Sequence, residues 1–207
     1  MRLIHWRWTT LFLTLLLGLL STVCVAQVLI PARDPGRSIL MTGFAVSHPG
    51  QLTDINDIAL GFPRELARRL ERDQQFYVRM TPELLSYDWV LTPPTTKMLA
   101  QVAATYDSRY VISGDIIGAG IHTVPSMFGL WEKKYREIDV EISIYDARAG
   151  MLIDKFKFTG TAAGDVVVGK DRSFDGEAFR VTPFGKAIDT LIEQAGNTIR
   201  TRLITRP

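Results

Sequence analysis

The sequence has almost no cysteine: Cys24 is the single one among 207 residues. One thiol excludes a disulfide framework and a zinc site built from cysteines. Histidine is nearly as scarce, with three residues, and neither charge sign dominates, since 24 Lys and Arg face 22 Asp and Glu. Glycine (16) and proline (10) are too few for a fibrous chain, and 46% hydrophobic residues exclude a disordered one. This composition is typical of a globular domain, and the chain is long enough to bury one sizeable core.

The first 26 residues differ from the rest of the chain. Arg2 and Arg7 give this segment a basic start without an acidic residue, and residues 11–20 are almost purely apolar. Small residues follow, and the sequence CVA at 24–26 offers a small-x-small cleavage site. A basic start, a short apolar stretch and a small-residue end are the three parts of a secretory signal peptide. We therefore expect residues 1–26 to be a signal peptide that is removed on export.

Two alternatives stay open for the same segment. The apolar run over residues 11–28 is nearly long enough to span a bilayer, which takes about 17–25 apolar residues. Cys24 could carry a lipid, but residues 21–23 form a poor lipobox because a branched residue stands where a small one is needed. The short apolar core and the small residues at its end favour cleavage, so no transmembrane span is expected in the mature chain.

Removal of this leader changes the charge of the protein. The leader holds two of the 24 basic residues and none of the 22 acidic ones, so the remaining chain has a formal net charge of zero. No basic excess is then left to neutralise phosphates, and an exported protein meets little nucleic acid. Nucleic acid is therefore excluded as a partner.

Behind the leader, we expect a linker at residues 27–36, marked by Pro31 and Pro35, and one α/β domain at residues 37–207. Hydrophobic periodicity predicts elements in the order β-α-β-α-β-β-β-α. Two helical crossovers before a late hairpin indicate a mixed sheet of about five strands with helices packed on it. The predicted strands cover residues 38–46, 75–80, 109–121, 137–144 and 152–160.

Residue spacing also predicts the buried faces of the three helices. These faces are Ile58, Phe62, Leu66 and Leu70 in the first helix, Met98, Leu99, Val102, Ala103 and Tyr106 in the second, and Ala187, Ile188, Leu191, Ile192, Ala195, Ile199 and Leu203 in the third. Pro63 either begins the first helix or kinks a longer one. Thr182 and Pro183 supply the N-cap and the first-turn proline of the third helix.

Motifs for metal, nucleophile or nucleotide chemistry are weak. Once the leader is gone, His48 and His122 remain, and neither has a partner at a metal-ligand spacing. Ser113 lacks the Gly-x-Ser-x-Gly context of a nucleophile elbow. Gly114 and the glycines at 118 and 120 do not match a dinucleotide-binding loop, and glycines inside a long strand more often mark bulges or close contacts.

Two pairs of acids remain as candidates for acid–base chemistry. Asp54 and the nearby Asp57 are expected to cap a helix. Asp139 and Glu141 alternate with isoleucines, which places them on the solvent face of a strand, opposite lysines 155 and 157 of the next strand. Neither pair has a nucleophile or base beside it in sequence, so we predict no enzyme, with no catalytic residue, cofactor or metal.

One segment favours binding to another protein. Residues 123–135 are predicted to form a loop that contains Met127, Phe128, Leu130 and Trp131. If exposed, these side chains form an apolar patch rimmed by charges, which is typical of a partner-binding site. The alternative is that the cluster folds back over the sheet. Residues 84–91, with Tyr87 and Trp89, are a weaker second candidate.

Three other segments are distinctive when taken together: ILMTGFAV with GFPRELARRLERDQQF, KMLAQVAATYDSRYVISGDI, and VVVGKDRSFDGEAFRVTPFGKAIDTLIEQ. Over about residues 37–203 they resemble the middle domain of the flagellar assembly protein FlgT. The most specific parts are GFPR at 61–64 and the ending at 179–187. That middle domain is similar in fold to the N-terminal domain of TolB and, more loosely, to the curli channel subunit CsgG and outer-membrane activators of peptidoglycan synthases.

The resemblance implies a non-enzymatic protein of the Gram-negative periplasm, associated with the outer membrane or the flagellar basal body, that assists ring assembly and hence motility. Its implied partners are basal-body or other envelope proteins, and self-association through a free strand edge stays open. Contacts made by the further domains of the flagellar protein are not expected here. The alternatives are an outer-membrane-associated envelope module, either a regulator of peptidoglycan synthesis or a secretion-channel component, and a domain that binds a small molecule or peptidoglycan.

Overall fold

The structure is a computed structural model, and it describes residues 35–126, 131–168 and 172–205. The predicted signal peptide, residues 1–26, and the linker up to residue 34 lie outside the described residues. The strands are β1 (Ser38–Gly43), β2 (Ala45–Val46), β3 (Ile55–Asn56), β4 (Tyr77–Leu85), β5 (Tyr110–Gly118), β6 (Ile121–Ser126), β7 (Trp131–Asp146), β8 (Met151–Ala163) and β9 (Arg172–Ser173). The helices are α1 (Ile58–Glu71), α2 (Tyr87–Leu91), α3 (Thr96–Tyr106), α4 (Glu177–Arg180) and α5 (Pro183–Ile204).

The main sheet is mixed, as predicted. Its strands follow the order β4-β1-β5-β7, and β8 pairs with the other edge of β7. β1 runs parallel to both β4 and β5, whereas β5, β7 and β8 are antiparallel neighbours. β2 extends the pairing along β5, and β6 extends it along β7. Parallel strands joined by helices therefore make one half of the sheet, and a hairpin makes the other half.

Helices cover both faces of this sheet. α1 and α5 contribute to the larger apolar core, and the predicted faces of both helices are buried there, apart from Ala187, which is half-buried. α2 and α3 pack on the opposite face around Leu40 and Val111. The prediction is wrong for Met98, whose side chain is 37% exposed, although Leu99 beside it is buried. Consecutive side chains of a helix point in directions about 100° apart, so Met98 points away from the face that meets the sheet.

Pro63 lies inside α1, so the structure favours the longer helix over one that begins at this proline. A proline has no backbone N–H, so it cannot bond the carbonyl four residues earlier. In α1 that carbonyl belongs to Ala59, and it accepts a hydrogen bond from the backbone N–H of Phe44 at 2.8 Å. The missing helical bond is thus replaced by one that ties α1 to the end of β1.

Aromatic rings bring together the two segments that carry the resemblance most specifically, GFPR at 61–64 and the ending at 179–187. The ring of Phe174 lies against the backbone of Gly61, where a Cβ would come within 2.7 Å of its Cγ. Phe174 contacts Phe179 with ring centroids 5.4 Å apart, and Phe179 contacts Phe184 at 6.5 Å. Both segments are therefore parts of the core that fastens α4 and α5 to α1.

The glycines of β5 mark a close contact and a bulge, as predicted. At Gly114 the ring of Phe44 lies so near that a Cβ would meet its Cδ2 at 2.6 Å. The pairing of β5 with β7 shifts register between Ile116 and Gly118. Neither glycine belongs to a phosphate-binding loop.

Candidate functional site

A two-stranded hairpin extends the sheet beyond its other strands. We call it the hairpin arm: Ile121–Ser126 of β6, and residues 131–136 of β7. Its register runs from Ile121 opposite Arg136 to Ser126 opposite Trp131. β8 pairs with β7 only from Tyr135 onward, so within the described residues the outer part of the arm has no third strand. A lone pair of strands is marginally stable in water, and the arm therefore depends on its base.

The arm is exposed to solvent. Residues 121–125 and 132–134 are all exposed, and Ile121 and Val124 keep 46% and 48% of their surface accessible. Glu132 and two lysines, at 133 and 134, lie on the strand opposite. Apolar side chains beside charged ones on an exposed ribbon are suited to contact with another protein.

The predicted partner-binding residues follow β6 and begin β7 in the sequence. Met127, Phe128 and Leu130 lie outside the described residues, and of Trp131 only the backbone is described, paired with Ser126. The prediction of a loop over residues 123–135 is wrong at both ends, because β6 and β7 are paired as far as Ser126 and Trp131. Proline at 125 is compatible with it, since β6 is an edge strand there and needs no donor on its outer side.

Arg136 fixes the base of the arm. Its side chain is 1% exposed, and its Nη1 and Nη2 donate to the two carboxylate oxygens of Asp54 at 2.6 and 2.8 Å. The same guanidinium donates to the carbonyls of Gln51 at 2.6 Å and Ala119 at 3.3 Å. It also lies over the ring of Phe184, 4.1 Å from the centroid. One buried cation therefore joins the segment before α1, the turn between β5 and β6, and the start of α5.

Asp54 is held in its ionised form by this contact. Partial burial raises the pKa of Asp54, but the hydrogen bonds and charge of Arg136, together with the backbone N–H of Val168, outweigh burial and lower it. The expectation that Asp54 and Asp57 cap α1 is wrong. Asp57 stands at the N-cap position with a φ of 62°, but its side chain makes no capping hydrogen bond.

Replacing Asp54 with asparagine is expected to change how stability depends on pH. Because the pKa of Asp54 is lower in the folded chain than in the unfolded one, its stabilisation is complete above about pH 4 and is lost as pH falls through the folded pKa. The Asp54→Asn variant should be less stable than wild type at pH 7 by about 1.5–3 kcal/mol. Urea unfolding at pH 7 and below pH 4 should show this gap closing in acid, and a constant gap would contradict the assignment.

In the second candidate segment, residues 84–91, the two aromatic residues differ in burial. Trp89 is 8% exposed and packs edge-on against Tyr145, with ring centroids 5.9 Å apart. Tyr87 and Leu91 are 59% and 75% exposed. The tryptophan therefore belongs to the core under α2, while Tyr87 remains accessible to a partner.

The second pair of acids considered for acid–base chemistry is bonded to lysines. Lys155 pairs with Glu141 at 2.6 Å, and Lys157 pairs with Asp139 at 3.0 Å, as predicted. Burial raises the pKa of Asp139, but the Thr159 hydroxyl and Lys157 outweigh it and lower that pKa. In the part of the chain that the structure describes, no group of three or more His, Cys, Asp and Glu is arranged to hold a metal ion. No helix in that part is both long enough and apolar enough to cross a membrane.

Sequence reasoning missed Arg136, although a signal for it was present. Arg136 continues the alternation of Ile138, Val140 and Ile142, so it points to the same face of β7 as these buried residues. An arginine in such a register must be buried with a partner. Its partner, Asp54, is 82 residues away in sequence, so residue spacing does not predict which acid it meets.

A family model described as "Flagellar assembly protein T, middle domain" matches residues 33–171, more than half of the chain. The chain belongs to this family. The match contains the GFPR segment at 61–64, whereas α4, α5 and the ending at 179–187 lie beyond it. Membership of the flagellar assembly family confirms the resemblance inferred from the sequence. No match was found among curated proteins.

Solved structures share the fold at low identity. The hypothetical protein CT253 from Chlamydia trachomatis has a TM-score of 0.59 and 12% identity, with 82% of this chain and 98% of that one covered. PelC from Paraburkholderia phytofirmans, solved as a dodecamer, has a TM-score of 0.46 and 17% identity, with 84% and 93% covered. The LpoB C-terminal domain from Salmonella enterica has a TM-score of 0.35 and 13% identity, with 62% and 85% covered. Of these three likenesses, the one to CT253 supports the fold assignment.

Proposed function

We propose that this protein is a non-enzymatic assembly factor of the flagellar basal body, acting in the periplasm through protein–protein contacts. The observation that carries the proposal is the match of the flagellar assembly family to residues 33–171. The predicted signal peptide at residues 1–26 supports export, and the domain that follows it would work as a scaffold for ring subunits. The chemistry of its acids supports this role, because three of the four acids considered for acid–base catalysis, Asp54, Asp139 and Glu141, are paired with basic side chains.

The hairpin arm is the surface that we assign to partner binding. It is exposed along both strands, it carries apolar and basic side chains together, and its base is fixed by Arg136. The predicted cluster Met127, Phe128, Leu130 and Trp131 lies in the sequence between and at the ends of its two strands. An arm with a fixed base loses less conformational entropy when it binds a partner.

Deletion of the gene and complementation test both parts of the proposal. A deletion strain is expected to build basal bodies with incomplete rings and to swim poorly, and wild-type protein should restore both. Intact rings and normal swimming in the deletion strain would contradict the flagellar function.

Trp131→Asp tests the arm separately. An aromatic anchor at an interface contributes about 2 kcal/mol or more, which corresponds to an affinity loss of about thirtyfold. The variant should therefore fold but fail to restore ring assembly. Tyr87→Asp is the matched control, because Tyr87 is an exposed aromatic residue of the second candidate segment and its replacement should leave complementation intact. Full rescue by Trp131→Asp with failure of Tyr87→Asp would move the binding site from the arm to α2.

A further inference from the structure

A cavity of about 210 Å³ lies between the sheet and the layer of α2 and α3. Its floor is polar and includes Ser113 and Asp115 of β5, Glu141 of β7 and Lys155 of β8. Its wall is apolar and includes Trp89 and Pro94. The cavity lies on the opposite face of the sheet from the core that Arg136 joins, so it is separate from the hairpin arm.

Asp115 is the unusual residue of this floor. The residue is 6% exposed, and its Oδ2 accepts a hydrogen bond from the Ser47 hydroxyl at 2.6 Å. Its Oδ1 is buried and has no hydrogen-bond partner among the residues that the structure describes. A buried carboxylate oxygen without a donor is costly, and the residue that carries this one lines the cavity.

The charges that line the cavity do not balance. Glu141 stands directly opposite Asp115 in the β5–β7 pairing, which places two carboxylates side by side. Lys155 is the one lysine or arginine among the described residues of the lining, and its Nζ is bonded to Glu141 at 2.6 Å. The carboxyl group of Asp115 therefore has no ion-pair partner among the described residues of the lining.

We propose that the cavity binds an alkylammonium group. The ammonium would donate to the carboxylate of Asp115, and its carbon chain would pack against Trp89 and Pro94. An ammonium has three donors and no acceptor, which suits a floor of carboxylate and hydroxyl oxygens. The volume is below the roughly 300–1,000 Å³ of sites for drug-sized ligands and fits one short chain. Such a group is found both in free amines and in the lysine side chains of proteins.

Titration of the purified protein with two amines tests this site. The probes are 1,5-diaminopentane and Nα-acetyl-lysine amide, and the uncharged controls are 1-pentanol and Nα-acetyl-norleucine amide. Amide NMR signals of Ser113 and Asp115 should shift in a saturable way with the amines and not with the controls. Tighter binding of the lysine amide would identify a protein side chain as the natural source, and tighter binding of the diamine a free amine. Absence of a saturable response to both amines would overturn the proposal.

Variants locate the binding at Asp115. Asp115→Asn should weaken amine binding by about tenfold or more, because a hydrogen bond to a charged group is lost. The unliganded variant should be at least as stable as wild type, since a buried unpaired charge is removed while an oxygen remains for Ser47.

Glu141→Gln should also weaken binding, because it frees Lys155 to pair with Asp115. Asp139→Asn, on the same strand face but outside the described lining, is the control and should bind as wild type. Unchanged binding by Asp115→Asn would overturn the site.

Discussion

Replacing Arg136 with methionine is expected to lower the free energy of unfolding by about 3–5 kcal/mol. Methionine keeps the unbranched stem, so the loss comes from the guanidinium, including its contact with the ring of Phe184. Without it, the carboxylate of Asp54 keeps only the N–H of Val168 as a donor, and the carbonyls of Gln51 and Ala119 lose the donor that the buried guanidinium supplies. A loss of this size is a large fraction of the stability of a typical domain.

Thermal unfolding followed by circular dichroism measures this effect. For a chain of this length, 1 kcal/mol corresponds to about 2–4 °C, so the melting temperature of Arg136→Met should fall by roughly 10 °C. Arg148→Met is the matched control, because Arg148 is an exposed arginine whose nearest ion-pair distance is 3.8 Å. Exposed pairs contribute little, and this variant should melt within about 2 °C of wild type. Equal melting temperatures for the two variants would contradict the role given to Arg136.

Replacing Gly185 with alanine is expected to be the next most damaging change. Gly185 lies in the first turn of α5, where its N–H donates to the Thr182 hydroxyl at 2.9 Å. An added Cβ would overlap the carbonyl oxygen of Phe179 and come within 3.0 Å of the Cα of Arg180. These contacts are backbone atoms that cannot rotate away. Overpacking of this kind costs about 1–3 kcal/mol, and the upper part of that range is expected here.

The same substitution at Gly196, in the same helix, provides the control. There a Cβ would meet Arg69 at 3.4 Å and Leu66 at 3.8 Å, which are ordinary contacts. Alanine is favoured over glycine inside a helix by about 0.8–1.0 kcal/mol, so Gly196→Ala should be neutral or stabilising. Urea unfolding should therefore give shifts of opposite sign for the two variants. A Gly185→Ala protein as stable as Gly196→Ala would show that the start of α5 is packed differently.

Much of the fold could be predicted because its patterns are local. The four-residue spacing from Ile58 to Leu70 and the alternation from Ile138 to Ile144 each identify one buried face, and both faces are buried in the structure. Thr182 with Pro183 marks the start of α5 by capping chemistry that involves three neighbouring residues. Pairing of Lys155 with Glu141 followed from the register of one hairpin.

The features that were missed depend on residues distant in sequence. Asp54 looks like a helix cap in isolation, and only the folded chain brings it to Arg136. Asp115 follows a serine and a glycine in a strand, and its unpaired oxygen depends on which groups α2, β7 and β8 place around it. The strands of the hairpin arm are a different case, because β6 and β7 pair locally, from Ser126 opposite Trp131 to Ile121 opposite Arg136. They were predicted as a loop since Pro125 and Gly129 argue against a regular helix. Local pattern thus locates the elements, and tertiary contact determines the site.

Mass spectrometry of hook–basal bodies, purified in mild detergent from the native organism, tests the central claim most directly. An assembly factor of the basal body should be enriched together with the ring proteins, at a constant ratio to them across preparations. Absence from this fraction, with the protein abundant in the bulk periplasm or outer membrane, would contradict the account and favour a general envelope module.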